Sequence, residues 1–278
     1  MSQPKRHHYI PKLILRKFSE NGKILCIDRS SGKYFFNNPD DQFFEQHLYS
    51  IETEENRDTS FEKKLSDFES LVGSIIRNME IENFNLNEKN ILLLKIFISL
   101  QIRRNPHWSR PFGGVVDKKL VEDVLKEHEN IFGKSIESNI REKFLSANEI
   151  NRLRKNTIIK AIFELSDDAS KIIINKSLIF GFAPRGSQFI VGDWPYVSFN
   201  VDGIGHKENE TWISISPNLI LGLYCGKDSF IKIDLTRDQV RKYNIELFVK
   251  SRIVCARSKT LIASLHKKCI WRSSSRPS

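Results

Sequence analysis

The chain has 278 residues, of which 40% are hydrophobic and 28% charged, and a formal net charge of +10. Its length exceeds the roughly 100 to 150 residues of a typical single domain, yet integrated folds of about 200 to 250 residues are common, so one module or two tightly packed halves is expected. Nineteen Phe supply much of the volume of a core, which excludes disorder along the chain outside its ends.

The first eight residues carry charge without the apolar run of a secretory signal, so a cytoplasmic protein is expected. Pro11 suits a first helical position, and Leu13, Ile14 and Phe18 make a short apolar face that ends near Asn21-Gly22. Lys23 to Asp28 and Tyr34 to Phe36 flank Arg29-Ser30-Ser31-Gly32-Lys33 as a β-hairpin. His47 to Ile51 reads as a third extended piece.

From Ser60 the period changes to 3.6, with Phe61, Leu65, Phe68, Leu71, Val72, Ile75, Ile76 and Met79 on one stripe. Asn87 caps a second helix whose run from Ile91 to Leu100 is apolar nearly all round, hence buried, and Pro106 ends or kinks it. That run is interrupted by Lys95 and is about half the ~20 residues that a membrane span requires, so no membrane partner is expected. Val115 to Phe132 is amphipathic and closed by Gly133, and Ser146-Ala147-Asn148-Glu149 is a capping-box pattern that opens a helix through Ile150 to Leu165.

Beyond Asp168 the pattern turns to β. Leu178 to Phe182, Gln188 to Val191, Trp212 to Ile215 and Leu219 to Tyr224 are short, rich in branched and aromatic residues, and fit an antiparallel sheet. Arg237 to Lys250 reads as helical and Ser273 to Ser278 as a frayed tail. The expected class is α+β: an N-terminal β-hairpin region (1–59), a central helical bundle (60–175) and a C-terminal antiparallel sheet with flanking helices (176–272), forming a single domain over 1–272.

Charge is uneven along this plan. Residues 231 to 278 hold twelve Lys or Arg against Asp234, Asp238 and Glu246, a net +9. Such a concentration suits a polyanion, because neutralising phosphates releases counterions; a merely solvated basic surface is the bland alternative. Cys26, Cys225, Cys255 and Cys269 include no CxxC pair, so neither a zinc knuckle nor a redox motif is indicated, and mostly buried thiols are expected.

Five features carry chemistry. His7 and His8 are adjacent, and in a strand they face opposite ways, so one enters a pocket while the other orients it or packs. Glu62 and Glu69 lie seven apart on the helix from Ser60, hence on a single face, where Lys63 and Lys64 make a solvated charged surface the competing view. Gln101 and Arg104 end the most apolar helix and need partners there. Asp193 sits at a strand exit in Gly192-Asp193-Trp194-Pro195, as a displayed carboxylate or an Asx-type turn. Arg103 and His107 are one residue too close for the helical RNase spacing of Arg and His, and Pro106 intervenes. P-loop, GxGxxG, HExxH, GxSxG and kinase signatures are missing, and a ββα HNH site has no place for its later residues.

Taken in order, Arg6-His7-His8-Tyr9-Ile10-Pro11-Lys12, Leu15-Arg16-Lys17-Phe18, Glu62 with Glu69, Gln101 to Pro106, Gly192 to Pro195, Ile213 to Pro217 and Tyr243-Asn244 resemble the domain-of-unknown-function family 4238 over nearly the whole chain. That pattern runs His-His-x-x-Pro, Leu-Arg-x-Phe, Gln-x-x-Arg-x-Pro, then Asp-x-Pro before a Ser-Pro strand. Asn105 replaces its usual Thr and Trp194 its usual Asn, which spares the ionisable residues. The resemblance implies a bacterial-type cytoplasmic protein in which His7, His8, Glu62, Glu69, Gln101, Arg104 and Asp193 converge.

The expected function is cleavage or modification of nucleic acid, as the effector of a bacterial defence or toxin system, alone, as a homo-oligomer or with a partner protein. His8 is expected as acid or base with His7 as its partner, Arg104 on phosphate, and Glu62, Glu69 and Asp193 positioning a divalent metal or water. The alternatives are a non-catalytic nucleic-acid-binding module with a basic C-terminal surface, and a small-molecule-sensing or protein-interaction scaffold.

Overall fold

The computed structural model describes residues 6–52, 57–58, 60–79, 84–199 and 207–274. Strand β1 (Arg6–His8) leads through Pro11 into helix α1 (Lys12–Leu15) and a 3-10 turn over Arg16–Phe18. The expected hairpin follows as β2 (Ile24–Asp28) and β3 (Lys33–Asn37), paired antiparallel from Ile24 opposite Asn37 to Asp28 opposite Lys33. Short strands β4 (Phe44–Gln46), β5 (Ile51–Glu52) and β6 (Arg57–Asp58) complete this part.

Of the extended piece expected at His47 to Ile51, only Ile51 is strand, opening β5; His47 to Tyr49 form a turn after β4. Phe43 and His47, the residues bracketing β4, both adopt the left-handed region with φ of 55°. Non-glycine residues pay about 1 to 2 kcal/mol for that conformation, so its persistence on both sides of one three-residue strand shows how strongly the surroundings fix the strand's position.

The helical part comprises α2 (Ser60–Met79), α3 (Glu88–Arg103), α4 (Pro106–Gly114), α5 (Lys118–Phe132), α6 (Ser138–Phe144), α7 (Ala147–Phe163) and α8 (Asp167–Asn175). Asn87, Asp117 and Ser146 each accept a backbone N–H at a helix start, and Gly133 closes α5 with φ of 62°. The α2 stripe is buried at Leu65, Val72, Ile75, Ile76 and Met79, but Leu71 faces solvent. Helix α3 is less enclosed than its composition suggests, since Leu92 and Ile96 are exposed. Lys95 breaks its apolar run, and its ammonium is satisfied in part by donating to the Ile174 carbonyl at the end of α8, 2.7 Å away. Helices α4, α6 and α8 were not foreseen: α4 hides behind two prolines, and α8 prolongs helical structure past Asp168 to Asn175.

The last part holds β7 (Ser177–Phe182), β8 (Val191–Gly192), β9 (Tyr196–Phe199), β10 (Glu210–Ser216), β11 (Leu219–Tyr224), β12 (Phe230–Asp234), α9 (Arg237–Lys250), β13 (Ile253–Ala256) and α10 (Lys259–Ser274). Two sheets result, in the orders β12-β7-β11-β10-β9 and β3-β2-β13-β8. The first is mixed rather than antiparallel, because β12 runs parallel to β7. The second joins the two ends of the sequence: β2 pairs with β13, placing Cys26 opposite Cys255, both buried and free. Cys225 is exposed and Cys269 half-buried, so only two of the four thiols are core. The expected tail begins inside α10, with Ser273 and Ser274 helical, and its remainder lies outside the described residues. The fold class is α+β. No helix among the described residues is long and apolar enough to cross a membrane.

Burial explains the assembly. One apolar cluster joins α1, α2 and α3 to the β7-β11-β10 sheet through residues such as Val72, Ile76, Leu94, Phe97, Phe180 and Leu221. A second lies among α9, α10 and the remaining faces of both sheets, around Phe189, Tyr243, Leu247, Phe248 and Val254. The segment from Gln188 to Trp194 runs between the two.

Candidate active site

Strand alternation sends His7 inward and leaves His8 half-buried on the other side, as two successive residues of β1 must. The His7 ring is held on two sides. Tyr49, just past the left-handed turn at His47, stacks on it with centroids 5.4 Å apart and planes 16° from parallel, and the Tyr49 backbone N–H donates to His7 Nδ1 at 2.9 Å. With Nδ1 accepting, the ring proton of neutral His7 sits on Nε2. That atom lies 3.0 Å from Glu62 Oε2, off the line of a good hydrogen bond, so the pair is a close polar contact that leaves the carboxylate available.

Two turns along α2, Glu69 Oε1 pairs with Arg104 Nη1. Arg104 follows the last turn of α3, where its Nε and Nη2 donate to Gln101 Oε1 at 3.2 and 2.7 Å. The Arg104 and His7 side chains have no exposed surface, whereas Glu62 and Glu69 retain 19% and 23%. The network therefore shows solvent two carboxylates, one backed by an imidazole and the other by a guanidinium. Gln101 Nε2 is buried with no hydrogen-bond partner among the described residues.

Asn105, the next residue after Arg104, ties the end of α3 to Asp193. Its Oδ1 accepts the His107 N–H at the start of α4, and its Nδ2 donates to the Asp193 carbonyl at 2.7 Å. The Asp193 carboxylate turns away, accepting the Arg252 N–H at 2.9 Å, while the Asp193 N–H donates to the Ile253 carbonyl. Asp193 thus joins the network through its main chain and stitches β8 to the α9–β13 turn with its side chain. Gly192 beside it is required by space: a Cβ there would lie 2.2 Å from Ser251 Oγ.

Electrostatics separate the groups. Burial raises the Glu62 carboxyl above the ordinary carboxylate range. Burial also raises Asp193, with nearby backbone N–H groups partly offsetting it. The His8 imidazole is pulled down to about 4, first by burial and then by Lys12. His8 Nε2–H donates to the Asp40 carbonyl at 3.0 Å, and the His8 carbonyl accepts from the Tyr49 hydroxyl at 3.1 Å.

Five of the seven expected residues, His7, Glu62, Glu69, Gln101 and Arg104, form two neighbouring side-chain groups bridged by Tyr49, which contacts His7 and lies within hydrogen-bonding reach of Arg104. His8 and Asp193 enter by main-chain carbonyls. His8, expected as acid or base, has its Nε2 engaged by the Asp40 carbonyl and a proton affinity lowered by burial. Among the described residues no group of three or more His, Cys, Asp or Glu side chains is placed to hold a metal ion. Four clefts formed by described residues are lined by none of the seven. Arg103 caps α7 through the Ile162 and Glu164 carbonyls, which leaves it no role beside His107. Tyr49 and Asn105 were missed as site residues: Tyr49 lay in the supposed strand, and Asn105 looked only like a departure from a pattern.

The other residues that carried the resemblance form a second construction. Tyr243 Oη accepts the Ser214 N–H, Ser214 Oγ donates to the Ile190 carbonyl, and Asn244 takes the Ile190 N–H while donating to the Gln188 carbonyl. These side chains satisfy backbone groups that a ladder would otherwise pair, which is why Gln188 to Ile190 is not strand and β8 is only two residues long.

No curated protein and no solved structure matches the chain. The model of the family described as Protein of unknown function (DUF4238) matches residues 6–265, and the chain belongs to that family.

Proposed function

We propose that the Glu62–His7 and Glu69–Arg104 groups are an acid–base centre for phosphodiester hydrolysis in nucleic acid. The observation that carries this reading is the Glu62 carboxyl: partly open to solvent, raised in proton affinity by burial, and 3.0 Å from an imidazole N–H whose tautomer is fixed from behind. A carboxyl raised in proton affinity, partly open to solvent and in close contact with a second titratable group suits general acid–base catalysis. The guanidinium of Arg104 supplies fixed positive charge two helical turns away, and the Gln101 Nε2 donor is without a partner. His7 and Gln101 are positioning residues in this scheme, and Glu62 is the group that moves a proton.

The test is turnover of labelled single-stranded and duplex DNA and RNA by the whole chain and by Glu62→Gln. A loss of roughly 100-fold or more in the variant, with folding unchanged, is expected. Equal turnover by the two proteins would refute the reading.

The closure of His7 and Arg104 favours a second reading, in which the network is structural and the chain only binds nucleic acid. Under it, Glu62→Gln would alter unfolding free energy and leave nucleic-acid affinity and any turnover untouched.

A further inference from the structure

Two adjoining clefts lie beside the clasped Gln188 segment. One, of about 700 Å³, runs between the Ala183–Gln188 loop, α9 and the start of α10. Its neighbour, of about 430 Å³, lies over Ser216–Leu219 with Lys17 and Arg257 at its edge. They share Phe182 and Asn218, so they make one trough.

Its lining has a definite chemistry. Arg185, Arg237, Arg241 and Lys268 line the larger cleft and Arg257 the smaller, and neither lining contains an Asp or Glu. These five cations have no ion pair or hydrogen bond among the described residues, although most other arginines of the chain are engaged. Arg237 and Arg241, four apart on α9, project along one helix face. Val240, Leu261 and Leu265 add apolar surface to the lining among uncharged polar side chains such as Asn244 and Ser264, and Phe182 stands in both clefts.

We infer that this trough binds single-stranded nucleic acid, its backbone on the unpaired cations and its bases against Phe182 and the apolar surface of the lining. Cations that track a backbone beside an aromatic platform are the general means of holding a single strand. A duplex keeps its bases stacked inside and has no use for the apolar surface, and an inorganic anion has no use for either cleft's length. The inference shares with the proposed hydrolase only the class of substrate. It also fits the fold: Asp193 at the network lies five chain steps beyond Gln188 at the trough, a reach of at most about 18 Å.

The experiment is fluorescence anisotropy of a labelled single-stranded oligonucleotide with the whole chain carrying Glu62→Gln, so that binding is read without turnover. Binding that weakens steeply with salt is expected. R237E/R241E, both on the exposed face of α9, should weaken it at least tenfold and flatten the logarithmic salt slope by about 0.7 per lost contact, with the melting temperature unchanged. Phe182→Leu should weaken binding while leaving the slope unaltered. An affinity unchanged in R237E/R241E, equal binding of duplex, or displacement by inorganic phosphate at concentrations matching the oligonucleotide phosphates would each overturn the inference. A parent chain that binds the oligonucleotide and hydrolyses none of the DNA and RNA substrates would count against the proposed centre and leave the trough standing.

Discussion

The Tyr49 backbone N–H donates to His7 Nδ1 while the Tyr49 ring lies nearly parallel to the imidazole, so a single residue fixes both the tautomer and the plane of His7. The same tyrosine ties down β1 through its hydroxyl, which donates to the His8 carbonyl. Its two functions can be separated by substitution.

Tyr49→Phe keeps the stack and the backbone donor and removes only the hydroxyl. An unfolding free energy lower by about 1 kcal/mol is expected in urea titration, the usual net worth of one hydrogen bond. Tyr49→Ala also deletes the buried ring and should cost about 3 to 5 kcal/mol. Similar losses in the two variants would show that the ring does not support His7.

Arg104 has no exposed side-chain surface, so its charge depends on Glu69. Glu69→Gln leaves that charge uncompensated and should destabilise the fold by about 3 to 5 kcal/mol, whereas Arg104→Met combined with Glu69→Gln should cost less than the sum of the single changes. Strict additivity in this double-mutant cycle would mean that the pair is not coupled.

How much of this the sequence carries differs by element. The i, i+7 placement of Glu62 and Glu69 is a local property of helix periodicity and was legible, as were Asn87, Ser146 and Gly133 as caps. What each glutamate meets was not. The partners come from β1 and from the end of α3, elements brought together by packing rather than by spacing. The Tyr49 contact depends on a left-handed His47, a conformation that histidine adopts more readily than most residues but that the local sequence does not specify. The union of β2 with β13 joins residues more than two hundred apart, so the hairpin was foreseen and its sheet was not. Asp193 stands out in the sequence for its carboxylate, whereas it is the carbonyl that reaches Asn105.

Asn105 offers a finer dissection. Asn105→Asp keeps the acceptor that starts α4 and loses the donor to the Asp193 carbonyl; Asn105→Ala loses both. The aspartate should cost about 1 to 3 kcal/mol for the buried carbonyl left without its partner, and the alanine about 1 kcal/mol more for the lost cap. Thermal or urea unfolding decides it, and an aspartate variant as stable as the parent would remove Asn105 from the network.

His8 sets a pH dependence. Its folded value of about 4 lies below the ordinary 6.5, so the folded state binds its proton more weakly than the unfolded chain does. The stability it contributes is present above pH 6.5 and is lost as pH falls from there towards 4. His8→Gln, whose amide N–H takes the place of the ring donor, should flatten stability across that interval. Glu62 and Asp193 act in the opposite sense, since raised carboxyls lose their contribution as pH rises, and the difference between parent and His8→Gln isolates the histidine. Parallel curves for the two proteins between pH 4 and 6.5 would contradict this assignment.

The central claim is that Glu62 moves a proton under the orientation of His7. The most direct measurement is the pH profile of nucleic-acid hydrolysis by the parent chain and by Glu62→Asp and Glu62→Gln. The account expects a limb in the parent profile with a midpoint above the ordinary carboxylate range, partial activity with a displaced midpoint in the aspartate, and activity reduced about 100-fold or more in the glutamine variant with its fold intact. A glutamine variant that hydrolyses nucleic acid with the parent's rate and profile, or a parent chain that hydrolyses none of the DNA and RNA substrates, would contradict it.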